Sequence, residues 1–139
     1  MTKLSTLFLM ALTLLFSSLA SAADNKVVIQ VSSSDPATQT LALNNAVNLQ
    51  NALGMDNVTL EVVAYGPGLS LLTDKSTQAK RVASLAIQDI TFSACANTMS
   101  KIEKKTGKKP QLIEGVTVVP GGVIRIMELQ QQGYAYIRP

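Results

Sequence analysis

Strand-like segments alternate with helix-like segments along most of the chain, and this alternation limits the possible folds more than any other feature. The strand-like runs are rich in Val and Ile with little polar alternation, as expected for strands that are buried on both faces. The intervening segments space their apolar residues three or four apart, as helices do. The predicted strands cover residues 26–32, 58–65, 87–95, 112–119 and 134–137, and the predicted helices cover residues 36–53, 76–86, 96–107 and 120–132. This order predicts an α/β domain with one mostly parallel, five-stranded sheet and helices on both faces.

The first 22 residues have the pattern of a secretory signal peptide. Lys3 precedes an apolar run from Leu4 to about Ala20, and Ala20-Ser21-Ala22 matches the small-residue signature of a cleavage site. A retained anchor is the alternative, but the run is short for a membrane span and no basic stop-transfer flank follows it. We therefore expect a single domain at residues 23–139, located in the periplasm and free of the membrane after cleavage.

The charge balance does not favour a nucleic-acid partner. The chain has 12 basic and 9 acidic residues, of which only Lys3 lies in the predicted signal peptide. One dense group of lysines stands at the end of a predicted helix, where cations are favoured, so we interpret it as a solvated helix terminus. This group comprises Lys101, Lys104, Lys105, Lys108 and Lys109. Aromatic residues are too few and too scattered for a base-stacking platform.

The chain contains one cysteine and no histidine. A single cysteine excludes an internal disulfide, although export normally brings disulfides. Without histidine there is no Cys–His or Ser–His pair and no imidazole ligand for a metal. Gly121-Gly122 lacks the rest of a phosphate-binding fingerprint, and no phosphate loop follows the first strand. We expect no metal, nucleotide or flavin cofactor.

Cys95 is the candidate reactive residue because of its position. It lies where a predicted strand changes to helical spacing, so its sulfur should face the N-terminus of a helix. Free N–H groups and the helix dipole at such a site favour thiolate over thiol. The alternative is that Cys95 is a small, buried apolar residue, which is the more common role of a lone cysteine.

Further candidates stand in the loops that follow successive strands, because the carboxyl ends of parallel strands share one edge of a sheet. Asn97 and Thr98 could stabilise a sulfur anion, or could serve only as helix caps. The glycines of two loops could let the backbone approach a substrate, or could serve only as turns. These loops contain Gly66, Pro67 and Gly68 after the second strand and Gly121 and Gly122 after the fourth. Asn45, in the first helix, could face the site, a neighbouring subunit or solvent.

Several segments together resemble the DsrE/DsrF-like family over essentially the whole mature chain. The matching segments are 43–49, 62–68, 92–99, 119–122 and 129–137, including Cys95-Ala96-Asn97-Thr98 and the ending Gly133-Tyr134-Ala135-Tyr136. The resemblance implies a flavodoxin-like, three-layer α/β/α domain with a five-stranded parallel sheet, assembled into a homotrimer or homohexamer. It also implies sulfur relay as a cysteine persulfide, with Cys95 as the active cysteine.

Three hypotheses about function follow from the residues and the resemblance. In the first, a periplasmic protein receives sulfane sulfur on Cys95 from a sulfur-donor protein and passes it to a partner thiol. In the second, the chain is a non-enzymatic, homo-oligomeric binding module in which Cys95 is structural. In the third, the chain is a thiol redox sensor that dimerises through Cys95. The family's known relays are cytosolic, whereas this chain has the pattern of an exported protein, so the resemblance does not name a sulfur acceptor.

Overall fold

The computed structural model describes residues 25–139, and the predicted order of strands and helices is present there. The predicted signal peptide, residues 1–22, lies outside the described residues. The strands are β1 (Asn25–Val31), β2 (Val58–Ala64), β3 (Ile90–Cys95), β4 (Val116–Val119) and β5 (Ala135–Ile137). The helices are α1 (Pro36–Leu53), α2 (Ala79–Ile87), α3 (Ala96–Thr106) and α4 (Gly122–Gln131), with 3-10 segments at Met55–Asn57 and Gly66–Leu72.

Local sequence explains where α1 begins and ends. The Asp35 carboxylate accepts a hydrogen bond of 2.7 Å from the N–H of Thr38, and Pro36 occupies the first helical position, where a missing N–H costs nothing. Gly54 ends the helix with a φ of +87°, a conformation that residues with a Cβ rarely adopt. The capping residues that predicted this helix from sequence therefore act as expected.

Two of the predicted strands are shorter than the sequence pattern indicated. The prediction that β3 begins at Ile87 is wrong: Ile87 ends α2, and Asp89 has a φ of +62°, so the strand begins at Ile90. The fourth strand begins at Val116 rather than Leu112, directly after Gly115, which has a φ of +85°. Leu112 instead forms an isolated antiparallel bridge with Thr73. In both cases one residue with positive φ interrupts an otherwise strand-like run.

The sheet formed by residues 25–139 has five strands in the order β4-β3-β2-β1-β5, and all neighbouring pairs are parallel. The chain moves in one direction from β1 to β4 and then returns across the sheet to β5. Because parallel crossovers are right-handed, the three connections in the first direction lie on one face and the return connection lies on the other. Within residues 25–139, this topology gives a three-layer α/β/α domain with α1, α2 and α3 on one face and α4 on the opposite face.

The hydrophobic core reflects this uneven covering. The larger cluster joins one face of the sheet to α1, α2 and α3, with Phe92, Leu43 and Val82 fully buried. The smaller cluster lies under α4 and contains Val28, Val63, Ile126 and Leu129. None of the helices within residues 25–139 has both the length and the hydropathy that a membrane-spanning helix needs.

Candidate functional site

Cys95 lies at the point where the sheet connections change face. It is the last residue of β3 and the N-cap residue of α3, and it pairs in register with Val119, the last residue of β4. From these adjacent strand ends, α3 runs to one face of the sheet and α4 to the other. Such a switch point opens a crevice at the carboxyl edge, where α/β proteins bind their ligands. Cys95 is therefore next to the N-termini of two helices rather than one.

The groups around Cys95 favour its ionised form. Burial raises the pKa of the Cys95 thiol, whereas hydrogen bonding from the hydroxyl and the N–H of Thr98 lowers it. The N–H groups of Gly122, at the start of α4, and Asn97 lower it further, and the net shift of the pKa is downward. These donors gain strength when the sulfur carries a negative charge.

Cys95 is also buried, since only 5 % of its surface is exposed. A buried cysteine in apolar surroundings normally has a raised pKa and is inert. The downward shift at Cys95 therefore depends on the polar groups of the two helix N-termini, which outweigh the desolvation of the sulfur. Exchange with an external sulfur compound requires the surrounding side chains to move.

Thr98 connects the cysteine to the glycine loop after β2. Its hydroxyl oxygen accepts a hydrogen bond of 2.9 Å from the N–H of Gly66. Gly66 has a φ of +54°, and an added Cβ would meet no atom within 4 Å, so the backbone conformation is what favours glycine there. Three of the predicted site residues, Cys95, Thr98 and Gly66, are thus brought together.

The glycine pair after β4 allows the start of α4 to lie close to Tyr65 and Asn97. A Cβ on Gly122 would lie 2.8 Å from the Cβ of Tyr65 and 2.9 Å from its ring, so no larger residue fits without movement. A Cβ on Gly121 would lie 3.6 Å from the side-chain nitrogen of Asn97. Sequence reasoning missed the role of Tyr65, because contact between the ends of β2 and β4 depends on the folded sheet.

The remaining predicted site residues are further from the sulfur or have packing roles. Pro67 is exposed beside Gly66, whereas Gly68 is buried against β1 so closely that a Cβ would lie 2.1 Å from the carbonyl oxygen of Val31. Asn45 lies nine residues, or about 13 Å along the axis, beyond the start of α1, which is the end of that helix nearer the carboxyl edge of the sheet. It is half-buried in the middle of that helix.

A cavity of about 1140 Å³ opens beside Thr98 and Gly66. Its wall includes Tyr65, Pro67, Ile102 and Pro110, and five lysines surround it: Lys75, Lys101, Lys105, Lys108 and Lys109. Four of these belong to the group interpreted from sequence as a solvated helix terminus. All five are exposed, but they share one cavity rather than pointing only to open solvent. The sequence analysis did not include Lys75 in this group, because Lys75 belongs to a separate loop that only the fold brings beside α3.

A buried polar network lies on the α4 face of the sheet. Arg125 donates to both carboxylate oxygens of Glu61, at 2.8 and 2.7 Å, and Ser93 donates to one of them at 2.7 Å. Glu61 is only 3 % exposed, and it holds the pKa of Arg125 above its ordinary value. The sequence did not reveal this pair, because 64 residues separate the partners. Within residues 25–139, no three His, Cys, Asp or Glu side chains are grouped as a metal site requires.

Comparisons with known proteins agree with this architecture. The model of the DsrE/DsrF-like family matches residues 25–139. A solved structure of a protein of unknown function from Methanobacterium thermoautotrophicum has 36 % sequence identity and a TM-score of 0.76, covering 84 % of this chain and 100 % of its own. No curated protein matches the chain. With the family model matching the entire described region and a structural relative sharing the fold, the chain belongs to the DsrE/DsrF-like family.

Proposed function

We propose that this protein binds and transfers sulfane sulfur, carrying it as a persulfide on Cys95. The observation that carries the proposal is the position of Cys95 between the N-termini of α3 and α4, where backbone amides and the Thr98 hydroxyl lower the pKa of its thiol. The thiolate is the nucleophilic form of cysteine, and a persulfide anion has the same need for hydrogen-bond donors. Family membership agrees with this role but does not establish it, because one fold supports many functions.

The transfer step is thiol–disulfide exchange. The Cys95 thiolate attacks the outer sulfur of a donor persulfide, and a new S–S bond forms as the donor's own S–S bond breaks. The electron pair of the broken bond leaves with the donor sulfur as a thiolate, so no outside oxidant or reductant is needed. In the second step an acceptor thiolate attacks the outer sulfur on Cys95, which returns Cys95 to the thiolate form.

The chain's own residues have separate roles in this scheme. Thr98 and Gly122 stabilise negative charge on Cys95 in both the thiolate and the persulfide, with Asn97 as a third donor. Gly66 fixes the hydroxyl of Thr98 by donating to its oxygen. Gly121 and Gly122 allow the start of α4 to approach Tyr65 and the cysteine. No metal or organic cofactor takes part.

We also propose a periplasmic location and a homotrimeric or homohexameric assembly. The location is supported by the signal-peptide pattern of residues 1–22. The assembly is supported by apolar side chains that α4 leaves exposed, namely Val123, Ile124 and Met127, each more than half exposed. Light scattering of the purified protein tests the assembly, and a monomer at micromolar concentration would contradict it.

The transfer proposal is tested by loading the protein with a persulfide donor and measuring intact mass. The wild-type protein should gain the mass of one sulfur atom on Cys95 and lose it when an acceptor thiol is added. Cys95→Ser should gain nothing. Equal gain and loss of sulfur by Cys95→Ser would contradict the proposal.

A second candidate function is favoured by the burial of Cys95. With only 5 % of its surface exposed, Cys95 could be a packing residue in a non-enzymatic binding module. In that case the folded wild-type protein should gain no sulfur, and Cys95 should react with an alkylating reagent only after denaturation. The same mass measurements therefore distinguish the two functions.

A further inference from the structure

We propose that the lysine-lined cavity beside Thr98 binds an organic thiol or persulfide that carries several carboxylates. We call this cavity the lysine groove, with Lys75, Lys101, Lys105, Lys108 and Lys109 at its margin. The proposal deepens the proposed function by naming a substrate class. It rests on that function only for the thiol of the ligand, since the need for several anionic groups on the ligand is inferred from the groove alone.

The charges of the groove are not neutralised by the protein. None of its five lysines forms a salt bridge with an acidic residue in the described part of the chain. Among the described residues that line the groove, Asp74 is the one acidic residue, so these residues carry five positive charges against one negative charge. Like charges gathered around one concave surface raise the local concentration of anions there.

The size of the groove favours an organic anion over an inorganic one. Pockets that bind organic ligands have volumes of roughly 300–1000 Å³, and this cavity is slightly larger, at about 1140 Å³. Its lining is also partly apolar, with Tyr65, Pro67 and Ile102 exposed to the cavity between the lysines. A carbon framework with charged ends fits such a surface better than a sulfate-sized ion does.

The spacing along α3 relates the lysines to the cysteine. Thr98 lines the groove, and its N–H and hydroxyl also act on Cys95, one turn earlier. Lys101 and Lys105 lie about 5 and 10 Å further along the helix axis. The groove therefore suits a ligand whose carboxylates and thiol lie within about 10 Å of one another, which is the distance along the helix axis from Thr98 to Lys105. Glutathione has carboxylates at both ends and a central thiol, so it represents this ligand class.

The test uses S-methylglutathione, which cannot transfer sulfur, and measures its binding to the folded protein by calorimetry. We expect saturable binding that weakens as salt concentration rises. Lys101→Ala and Lys105→Ala should each weaken binding about tenfold, because each removes a charge-assisted hydrogen bond. Lys104→Ala is the matched control, since Lys104 is exposed on the same helix but does not line the groove. The affinity of this variant for S-methylglutathione should equal that of the wild type.

Two further measurements separate this proposal from the sulfur-transfer proposal. Cys95→Ser should bind S-methylglutathione as the wild type does, whatever the outcome of sulfur loading. The dimethyl ester of S-methylglutathione, which lacks the carboxylate charges, should not bind. Absence of saturable binding, an equal loss of affinity in Lys104→Ala, or equally tight binding of sulfate alone would each overturn the proposal.

Discussion

The hydroxyl oxygen of Thr98 accepts a hydrogen bond of 2.9 Å from the backbone N–H of Gly66, which joins the start of α3 to the loop after β2. A hydroxyl has one proton to donate, and this bond occupies the oxygen as an acceptor. The proton is therefore free to be directed toward Cys95, whose thiol pKa the Thr98 side chain lowers. One side chain thus positions a loop and stabilises the sulfur anion.

Replacing Thr98 with Val should make Cys95 less reactive. Val has nearly the same shape but no hydroxyl, so the pKa of Cys95 should rise. At about pH 7 the alkylation rate should fall by about two- to tenfold, the range that a single hydrogen bond of ordinary net strength accounts for. Thr98→Ser, which keeps the hydroxyl, is the control and should retain most of the rate. Equal rates for wild type and Thr98→Val would mean that the hydroxyl does not act on the sulfur.

Gly122→Ala should destabilise the fold and disturb the site. The new Cβ would lie within 3 Å of the Cβ and ring of Tyr65, and overpacking of this kind costs about 1–3 kcal/mol in the free energy of unfolding. Gly121→Ala is the matched control, because its nearest atom is the Cδ1 of Ile124 at 3.4 Å and it has an ordinary φ of −148°. As a change at a helix N-cap, it should cost less than about 1 kcal/mol. Denaturant unfolding of the two variants measures this difference in the free energy of unfolding. Equal losses of stability in the two variants would contradict the overpacking at Gly122.

Glu61→Ala should be strongly destabilising. It leaves the guanidinium of Arg125 without its bidentate partner on the α4 face of the sheet. Breaking a buried pair costs about 3–5 kcal/mol, and we expect the lower end because the Arg125 side chain is 30 % exposed. Glu128→Ala removes the second, exposed partner of Arg125, at 3.7 Å, and should change stability by less than about 1 kcal/mol. If Glu128→Ala lowered the free energy of unfolding as much as Glu61→Ala does, burial of the Glu61–Arg125 pair would not explain its contribution to stability.

The pH dependence of stability should also show the lowered pKa of Cys95. A group whose pKa is lower in the folded state releases its proton more readily there, so the unfolded state binds more protons in that range. The wild type should therefore gain stability as pH rises from the folded pKa to the unfolded value of about 8.5. This gain should be complete above the unfolded pKa and lost as pH falls through the folded pKa. Cys95→Ser should lack the gain, and identical curves for the two proteins would contradict the downward shift.

The sequence predicted the elements of the fold because their signals are local. Asp35, Pro36 and Gly54 mark the ends of α1 through contacts within a few residues. The junction at Cys95 was predicted for the same reason, since a strand pattern changes to a helical pattern at that residue. The predicted starts of β3 and β4 were wrong, because Asp89 and Gly115 have positive φ and interrupt runs that otherwise look like strands.

The parts of the site that sequence did not predict depend on contacts between distant segments. Lys75 meets the lysines of α3 only because the loop after the Gly66–Leu72 segment folds back beside that helix. Glu61 and Arg125 pair across 64 residues, and neither has an unusual local sequence. The approach of α4 to Cys95 follows from the return of the chain across the sheet, which is a property of the topology as a whole.

The most direct test of the central claim is the alkylation rate of Cys95 in the folded protein as a function of pH, measured by intact mass. Because this is the chain's one cysteine, the mass change reports on a single site. We predict labelling of the native protein with a midpoint clearly below the ordinary thiol pKa of about 8.5. Labelling that occurs only after denaturation, or a midpoint at or above that value, would contradict it.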